Sequence, residues 1–413
     1  MSVETELEKF SLTFPILDKL QEYLKEHGNL NGERIGWHCH LTVITAASAK
    51  VLLNAGARLF MSECNPATSN ASSVEFMREL GATIFCGEGS ARKVLEERPA
   101  VLSDTGFVLI DEYLDMLLQD GDKFAFAACE ITSSGIQKLR SRKPCDFPVI
   151  NINDGELKTY IENFHGVGDG VIDSLAKVTG RMWCGRPVAV AGYGRVGAGV
   201  AAHLRGAGAL VSIVENDPAR RLIAHYDGFA LSDLPSALSS SELLVTATGR
   251  HSLITTSEMR HARAGIILMN VGHWPEEIAY GQLKSEACGH RQVSDFLEEL
   301  EFSIDGTVRK VMVLGGGGPA NVVMCSGSIE PTLIHLVTEI LCLNHLLALR
   351  DAAAKVHRPE ENSLSSGRSR QDAGALRIEP SVRGELLLFG ENPLPKEVQD
   401  QASLLALKAL GLS

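Results

Sequence analysis

Residues 187–199 read Pro-Val-Ala-Val-Ala-Gly-Tyr-Gly-Arg-Val-Gly-Ala-Gly, an apolar run that opens into closely spaced glycines and then a helical pattern. This order of strand, glycine turn and helix is typical of a dinucleotide-binding fold. A second apolar run, residues 209–214, ends in Glu215 about 20 positions past the glycines, where such folds place a carboxylate that accepts from ribose hydroxyls. Glycines let the backbone approach a pyrophosphate, whose charge the helix N-terminus attracts. The residues predicted to hold the cofactor here are Gly192, Gly194, Arg195, Val196, Gly197 and Glu215.

The charges beside Glu215 indicate which dinucleotide fits. Glu215 and Asp217 would repel the 2′-phosphate of NADP, so the sequence favours NAD. Arg220 and Arg221 act in the opposite sense. A glycine turn that only serves packing is the alternative to dinucleotide binding.

Composition limits the class of protein. The chain has 413 residues, 45% of them hydrophobic, which suits two soluble globular domains. Apolar runs stop short of membrane-spanning length and the N-terminus lacks the features of a secretory signal, so we expect a cytoplasmic protein without membrane attachment. The net charge of −12 argues against a nucleic-acid partner. Nine cysteines without a CxxC pair predict reduced thiols and no metal site.

Apolar runs alternate with helical patterns along the chain, as in parallel α/β folds. We predict an α/β fold in which a Rossmann-type NAD-binding domain, residues 166–328, is inserted in a parallel α/β substrate-binding domain, residues 1–165 and 329–413. A segment without periodicity, residues 358–374, is expected to be a mobile loop. The predicted strands are residues 34–39, 58–62, 83–86, 107–110, 124–128, 148–153, 187–191, 209–214, 243–246, 266–270 and 311–314.

Polar side chains follow three of the strands predicted in the first domain. His40 and Thr42 come after the first strand, Asp111 and Glu112 after the strand predicted to end at Ile110, and residues 129–135 after the next one. Because open α/β sheets bind ligands at the carboxyl ends of their strands, these are candidate site residues. Each also has a plainer interpretation, as a structural histidine or as a helix cap.

Lys158 and Glu162 are four residues apart on a predicted helix, with Asn163 beside them, just before the dinucleotide-binding domain. They can form a solvated ion pair, although Lys before Glu is the less stabilising order at this spacing. A lysine held beside a carboxylate in an interdomain cleft would instead relay the proton of a substrate alcohol while hydride leaves for NAD.

The stretch Met269-Asn270-Val271-Gly272-His273 follows a predicted strand of the dinucleotide-binding domain. Gly272 lets the backbone come close to a ring, which would place His273 against the nicotinamide. Asn321, after the glycine run 315–318, is a candidate partner for the carboxamide.

Together these stretches resemble the S-adenosylhomocysteine hydrolase family over about residues 14–350 and again around 392–410. The resemblance implies two domains that close on a substrate, a retained NAD and a homotetramer. It also implies oxidation of the 3′ hydroxyl of a nucleoside, elimination of the 5′ substituent, addition of water and reduction of the ketone. The matching motifs are HLTVITA at 40–46, CNPATSN at 64–70, EITSSG at 130–135, PVININD at 148–154, Lys158 with Asn163, VAGYGRVGAG at 190–199, VENDP at 214–218, TATG at 246–249 and MNVGH at 269–273.

The resemblance also assigns roles. Lys158 corresponds to the lysine that handles the 3′ alcohol proton and His40 to the acid/base beside the 5′ leaving group. Glu112 and Glu162 stand where the family has catalytic aspartates, and His273 joins the catalytic set. The positions that match substrate contacts are Thr42, Ile44, Ile131, Thr132, Asn163 and Ser328. Those that match cofactor contacts are Thr132, Ser133, Ser134, Asn163, Arg220, Thr246, Thr248, Val271, Gly272, His273 and Asn321.

Several of these positions depart from the family. Ile44 replaces a Glu or Gln that reads the adenine edge, and Ile131 replaces a glutamate that touches the ribose hydroxyls. Val167 replaces a cysteine in the cleft, and Ser328 a histidine near the purine. The family's C-terminal tail, which reaches a neighbour's NAD site, is not found before Ser413. From the resemblance we expect a homo-oligomer, either a dimer or a tetramer.

These changes favour a retained reaction on a shifted substrate. Losing a buried polar partner costs about 1–3 kcal/mol per group, so Ile44 and Ile131 predict weakened adenosine recognition. We therefore expect an enzyme with tightly bound NAD that acts on another nucleoside, with water or a thiol as leaving group, as in dehydratase-like relatives of nucleoside-antibiotic pathways. The alternatives are an ordinary S-adenosylhomocysteine hydrolase, a simple dehydrogenase of the 2-hydroxy-acid type, and a non-catalytic NAD-binding paralogue.

Overall fold

A computed structural model describes residues 2–142, 145–272, 277–356, 375–376 and 387–412. The chain divides into two compact units, one comprising Met1–Lys158 with Thr332–Ser413 and the other Thr159–Pro331. The boundaries expected from the sequence follow residues 165 and 328. The loop predicted at 358–374 lies outside the described residues.

The first unit is built on a parallel sheet of seven strands. Its strands are β1 (Arg34–Cys39), β2 (Arg58–Glu63), β3 (Thr83–Phe85), β4 (Val101–Asp104), β5 (Ala127–Glu130), β6 (Pro148–Asn151) and, from the C-terminal part of the chain, β17 (Gly390–Pro393). They lie in the order β17-β6-β5-β4-β1-β2-β3, with every neighbouring pair parallel. A separate two-stranded pair consists of β15 (Ala375–Leu376) and β16 (Leu387–Leu388).

Helices connect these strands, as parallel pairing requires, and further helices precede the first strand and follow the last. They are α1 (Val3–Thr13), α2 (Ile16–His27), α3 (Val43–Asn54), α4 (Ala71–Glu79), α5 (Ser90–Glu96), α6 (Leu109–Asp120), α7 (Ser133–Ser141), α14 (Ile329–Val356) and α15 (Lys396–Ala409), with a 3-10 turn at Pro66–Thr68. Tyr113 of α6 is fully buried and meets the ring of Phe147 edge-on, with the ring centroids 4.8 Å apart. The core of this unit thus lies between its helices and its sheet.

The prediction of a strand at residues 107–110 is wrong. The strand that precedes α6 is β4, and the run that begins at Phe107 leads into the helix. Leu109, Ile110, Tyr113 and Leu114 are buried at helical spacing. A short apolar run cannot be assigned to a strand or to a buried helix by periodicity alone, which explains the error.

The second unit contains an eight-stranded sheet. Its strands are β7 (Pro187–Ala191), β8 (Leu210–Val214), β9 (Ala230–Ser232), β10 (Leu243–Thr246), β11 (Ile267–Asn270), β12 (Gly289–Ser294), β13 (Leu297–Ile304) and β14 (Thr307–Leu314). They are ordered β12-β13-β14-β11-β10-β7-β8-β9. From β9 to β14 the pairs are parallel and follow the Rossmann order 3-2-1-4-5-6. The predicted α/β fold with a Rossmann-type domain is confirmed.

Helices also connect and flank the strands of this sheet. They are α8 (Val167–Thr179), α9 (Arg195–Gly206), α10 (Pro218–Tyr226), α11 (Leu234–Ser240), α12 (Tyr280–Glu286) and α13 (Ala320–Val323), with 3-10 turns at Thr256–Arg260 and Gly315–Gly317. The antiparallel strands β12 and β13 were not predicted. In β12 the residues after Gly289 are exposed and mostly polar, so no hydrophobic alternation marks it as a strand.

One helix among the described residues, Ile329–Ala354, is long and apolar enough to cross a membrane. Within it, 89% of the apolar window is buried inside the protein. The burial of this helix is therefore that of a core helix.

Candidate functional site

His40 follows β1 at the carboxyl edge of the first sheet and is half-buried. Its Nδ1 lies 2.7 Å from the hydroxyl of Thr68, which itself donates to the carbonyl of Asn65 at 2.8 Å. Because that hydroxyl proton is already used, Nδ1–H of His40 must be the donor, which leaves Nε2 as the basic nitrogen. The segment after β2 thus fixes the tautomer of His40.

His38, two residues earlier, has a different environment. It is buried and its Nδ1 lies 2.8 Å from the Ser62 hydroxyl. Burial, with a smaller effect from Lys138, lowers the pKa of His38 to about 4. This ring is neutral at physiological pH and structural in role.

Two carboxylates lie at the ends of neighbouring strands of the first sheet. Glu130 belongs to the stretch 129–135 that the sequence marked as a candidate, whereas Asp104 was not predicted. Asp104 ends β4, Glu130 ends β5, and the two are register partners without exposed surface. Asp104 accepts from the backbone N–H groups of Thr105 and Ile110, each at 2.8 Å. Burial raises the pKa of Asp104 to about 6, and burial together with the nearby Asp104 raises that of Glu130 to about 8.

Glu112 does not follow a strand, contrary to the prediction. It lies in the first turn of α6, where its carboxylate pairs with Arg92 at 3.1 Å. The two side chains keep 38% and 37% of their surface exposed, so this is a surface ion pair. The carboxylate at the strand end is Asp104, and the buried run after it concealed that position in the sequence.

The predicted hydroxyl groups of this edge cap helices. Thr42 precedes α3, and its hydroxyl accepts from the N–H of Thr45 at 3.3 Å. Thr132 precedes α7, accepts from the N–H of Gly135 at 3.0 Å and donates to Glu130 at 2.6 Å. Ser134 donates to the Thr132 hydroxyl at 3.2 Å, while Ser133 is exposed and donates to Asn153 at 3.0 Å. Capping holds these groups in fixed positions.

Ile44 and Ile131 are half-buried apolar side chains at the same edge. Ile44 lies in the first turn of α3, and Ile131 lies between β5 and the cap of α7. Neither side chain can accept or donate a hydrogen bond. Val167, at the start of α8, packs instead against the core of the second unit.

Lys158, Glu162 and Asn163 lie on a π-helix, Leu157–Gly166, rather than on the α-helix expected. In an i→i+5 helix, residue 158 lies about one turn from residues 162 and 163, so the three positions still share one side. Lys158 is the last residue of its segment of the first unit, and the other two belong to the second. π-Helices are rare in proteins, and the short π-bulges that do occur are often found at functional sites.

The glycine turn of the second unit leaves space for a phosphate group. Gly192 has φ +96, and a Cβ there would meet the carbonyl oxygen of Ala247 at 2.4 Å. A Cβ at Gly197 would meet the carbonyl oxygen of Gly192 at 2.0 Å. At Gly194 the nearest atom to such a Cβ is Nη1 of Arg220, at 3.7 Å. Two glycines are therefore needed for packing, whereas Gly194 faces the open side where α9 begins.

Glu215 lies directly after β8 and is fixed by the backbone. Its carboxylate accepts from the N–H groups of Tyr193, Asn216 and Asp217 at 2.8, 2.7 and 2.9 Å. Burial raises its pKa and these bonds lower it, with a net shift downward. Glu215 is thus a rigid, ionised acceptor beside the glycine turn.

Two arginines border the turn. The Arg195 guanidinium lies 4.7 Å from the ring centroid of Tyr160, and Val196 follows it in the first turn of α9. Arg220 points its guanidinium toward Gly194. Both cations stand where an anionic ligand at the N-terminus of α9 would benefit from them.

The loops after β10 and β11 form the other side of this edge. Thr246 is buried and donates to Asn270 at 3.1 Å, and Asn270 in turn accepts from the N–H of Gly272 at 2.8 Å. Val271, between Asn270 and Gly272 in the chain, is buried. Thr248 donates through its hydroxyl to Glu277 at 2.8 Å. Glu277 was missed because it follows no predicted strand.

Three predicted residues remain. The Oδ1 atom of Asn321, on α13, is buried and has no hydrogen-bond partner among the described residues. Ser328 is exposed, and its N–H donates to Asp169 of α8 at 2.7 Å. His273 lies outside the described residues.

Similarity to known proteins covers both units. Residues 163–327 match the family described as "S-adenosyl-L-homocysteine hydrolase, NAD binding domain". An adenosylhomocysteinase of Archaeoglobus fulgidus is 30% identical over 76% of this chain and 78% of its own length. The chain belongs to the S-adenosylhomocysteine hydrolase family.

A second relative in the S-adenosylhomocysteine hydrolase family is named for a different substrate. The S-inosyl-L-homocysteine hydrolase of Methanothermobacter thermautotrophicus is 28% identical over 88% of this chain and 90% of its own length. Among solved structures, a transhydrogenase of Sinorhizobium meliloti is 14% identical, with a TM-score of 0.36, and covers 74% of this chain and 96% of that one. So distant a likeness says nothing about function.

Membership in the S-adenosylhomocysteine hydrolase family confirms an NAD-dependent enzyme. The residues present fit that cofactor. Gly194 leaves room for the pyrophosphate at the start of α9, Glu215 offers an acceptor to the ribose, and the Asn321 oxygen lacks a partner that a carboxamide would supply.

Proposed function

We propose that the protein uses bound NAD to oxidise the 3′-type hydroxyl of a nucleoside, eliminates the 5′-type substituent and then reduces the product. The substrate is a nucleoside other than an ordinary adenosine thioether. Family membership, the NAD-binding edge of the second unit and the polar edge of the first unit support the reaction. The shift of substrate has a separate basis.

The proposed change of substrate rests on the hydrogen bonds that Glu130 already accepts from the fold. Its carboxylate has no exposed surface and accepts from the N–H groups of Gly106, Phe107 and Thr132 and from the Thr132 hydroxyl, at 2.6 to 3.1 Å. It therefore cannot substitute for the ribose-binding carboxylate that Ile131 replaces. A nucleoside whose sugar contacts depend on that carboxylate would leave its hydroxyls unsatisfied here.

The base-reading position supports the same conclusion. Ile44 offers no hydrogen bond to a base. The hydroxyl of the neighbouring Thr45 is already used, because it donates to the carbonyl of His40 at 2.6 Å. A relative named S-inosyl-L-homocysteine hydrolase is consistent with a family in which the base varies. We infer a base other than adenine, with water or a thiol as the leaving group.

When bound, NAD supplies the hydride acceptor for the oxidation and the hydride donor for the final reduction. Lys158 takes the proton of the substrate alcohol, and Glu162 and Asn163, on the same helix, orient it. Nε2 of His40 exchanges a proton with the leaving group, because Nδ1–H is held by Thr68. Glu112, which the resemblance assigns to catalysis, and Asp104, which ends β4 and has a pKa near 6, are the two candidates for a further acid or base of the first unit.

The proposed cofactor contacts are those brought to the edge of the second sheet. The pyrophosphate would lie against Gly194 and Arg195, the ribose against Glu215, and the nicotinamide end against Val271, Gly272 and Asn321. Arg220 would support the phosphate groups.

The experiment is a substrate panel with purified holoenzyme. S-Adenosylhomocysteine, S-inosylhomocysteine and nucleosides without a thioether are added in turn, while absorbance at 340 nm reports hydride transfer and thiol titration reports homocysteine. We expect hydride transfer with a nucleoside and little homocysteine from S-adenosylhomocysteine. Rapid homocysteine release from S-adenosylhomocysteine would make this an ordinary hydrolase.

Lys158→Ala separates an enzyme from a non-catalytic paralogue. The variant should lose turnover and keep its NAD, whereas Lys19→Ala, an exposed lysine of α2, should behave as wild type. A holoenzyme that oxidises none of the panel would support the non-catalytic alternative. Denatured protein that releases no nucleotide would support a simple dehydrogenase.

We infer in addition that the enzyme works in the cytoplasm as a homo-oligomer. All nine cysteines are free thiols, as expected in a reducing compartment. Light scattering coupled to size exclusion would distinguish a dimer or tetramer from a monomer.

A further inference from the structure

Glu277 is a fully buried carboxylate at the carboxyl edge of the second sheet. Its main chain is anchored, because its carbonyl accepts from the N–H of Ile254 at 3.0 Å. An unpaired buried carboxylate would be strongly destabilising. Its hydrogen bonds therefore show what it is held there to do.

The carboxylate organises the loop after β10. Oε2 accepts from the N–H of Thr248 at 2.9 Å and from its hydroxyl at 2.8 Å, and Oε1 accepts from the N–H of Gly249 at 2.9 Å. Gly249 has φ +67, so this loop turns sharply around the carboxylate. Burial raises the pKa of Glu277 and these hydrogen bonds lower it, with a net shift upward.

The same carboxylate lies against the loop after β11. A Cβ at Gly272 would stand 1.8 Å from Oε1 of Glu277, so the backbone at this position runs directly past the carboxylate. Asn270 completes the arrangement, since its amide donates to the carbonyls of Gly272 and Gly317 at 3.2 and 3.1 Å. Glu277 thus contacts the terminal loops of two adjacent parallel strands.

Those loops lie in a defined part of the fold. In the order 3-2-1-4-5-6, strand β7 and Glu215 after β8 belong to the half that binds the adenosine end, and β10 and β11 belong to the other half. We propose that Glu277 is a positioning residue for the nicotinamide end of NAD: it fixes the backbone of the loops after β10 and β11 on which that end rests. The inference rests on the placement of the nicotinamide proposed above.

The test compares NAD with ADP-ribose, which is the same ligand without the nicotinamide. Both are titrated calorimetrically into enzyme stripped of its cofactor, and NAD release from the holoenzyme is timed. In Glu277→Gln one oxygen becomes an NH2 group that opposes an N–H donor. We expect NAD to bind about tenfold more weakly or worse, with ADP-ribose changed by less than about twofold.

Glu298→Gln is the matched control. Glu298 is a buried carboxylate of β13 that pairs with Lys284 at 2.9 Å, outside the loops after β10 and β11. This variant should leave both affinities unchanged, and Glu277→Asp should give an intermediate loss of NAD affinity. Should Glu277→Gln fail to fold by circular dichroism, Glu277→Asp is judged by the same two affinities.

Equal loss of NAD and ADP-ribose would assign Glu277 a general structural role and overturn the proposal, as would unchanged NAD binding. No nucleoside substrate is present in these titrations. A failure here is therefore distinct from a failure of the proposed reaction, which the substrate panel tests.

Discussion

Asp104 and Glu130 are register partners at the carboxyl ends of adjacent parallel strands, and neither carboxylate has exposed surface. The turn after β4 binds both of them, since Glu130 accepts from Gly106 and Phe107 while Asp104 accepts from Thr105. Two like charges so close and so buried cannot both form easily. The pair therefore keeps a proton to higher pH than exposed carboxylates do.

Stability should accordingly fall as pH rises. The pKa of Glu130 is raised to about 8 and that of Asp104 to about 6, whereas in the unfolded chain both groups ionise near their ordinary values of 4.5 and 3.8. Between about pH 4 and 8 the native state binds more protons than the unfolded state, so this contribution is fully present at low pH and lost by about pH 8.

The measurement is Tm against pH from 5 to 9. Glu130→Gln should remove most of the decline, because it leaves a single buried carboxylate that can ionise at lower pH. Glu112→Gln, which changes a surface ion pair, serves as the control and should retain the wild-type slope. Parallel slopes in all three proteins would contradict the shared-proton account.

Activity should distinguish Asp104 from Glu112. Loss of a general acid or base typically costs about 10²-fold or more, so Asp104→Asn should lower kcat by that order while NAD stays bound. Glu112→Gln should cause a much smaller loss. Turnover of the assigned substrate, with bound NAD measured after denaturation, checks both variants, and the opposite ranking would restore Glu112 to the site.

The wrongly predicted strand at residues 107–110 shows where sequence patterns stop being informative. Strong local signals placed the glycine turn and Glu215, because a parallel strand, a glycine at positive φ and a helix must follow one another there. The turn after β4 gave no such signal, since the apolar residues after it are buried at the start of a helix. Asp104 was therefore overlooked.

Contacts between loops that follow different strands could not be predicted from the sequence either. Glu277 lies far along the chain from Thr248, and nothing in its immediate neighbours marks it as buried. The tautomer of His40 depends on Thr68, on the next connection of the sheet. Such residues are found through the register of parallel strands, which the sequence alone does not provide.

Two glycines of the cofactor turn should respond differently to the same change. Gly194→Ala adds a methyl group on the open side, where it would displace a pyrophosphate, so NAD affinity should fall with little change in the Tm of the cofactor-free protein. Gly197→Ala forces a methyl group to 2.0 Å from the Gly192 carbonyl, which should destabilise the fold by about 1–3 kcal/mol.

Calorimetric titration with NAD and thermal unfolding of the cofactor-free protein give the two readouts. If Gly194→Ala bound NAD as tightly as wild type, the pyrophosphate would not lie against this glycine. An unaltered Tm in Gly197→Ala would show that the helix can move away from the turn.

Ile131→Glu should return part of the recognition that this chain lacks. The residue is half-buried between β5 and α7, so a carboxylate there can face the ligand while Glu130 stays bound to the fold. A hydrogen bond between a charged group and a sugar hydroxyl is worth about 1.5–3 kcal/mol, so KM for S-adenosylhomocysteine should fall about tenfold or more. Ile131→Met, which changes shape but adds no charge, should leave that KM near wild type. The comparison is made at fixed pH by thiol release, and equal behaviour of the two variants would mean that position 131 does not meet the ribose.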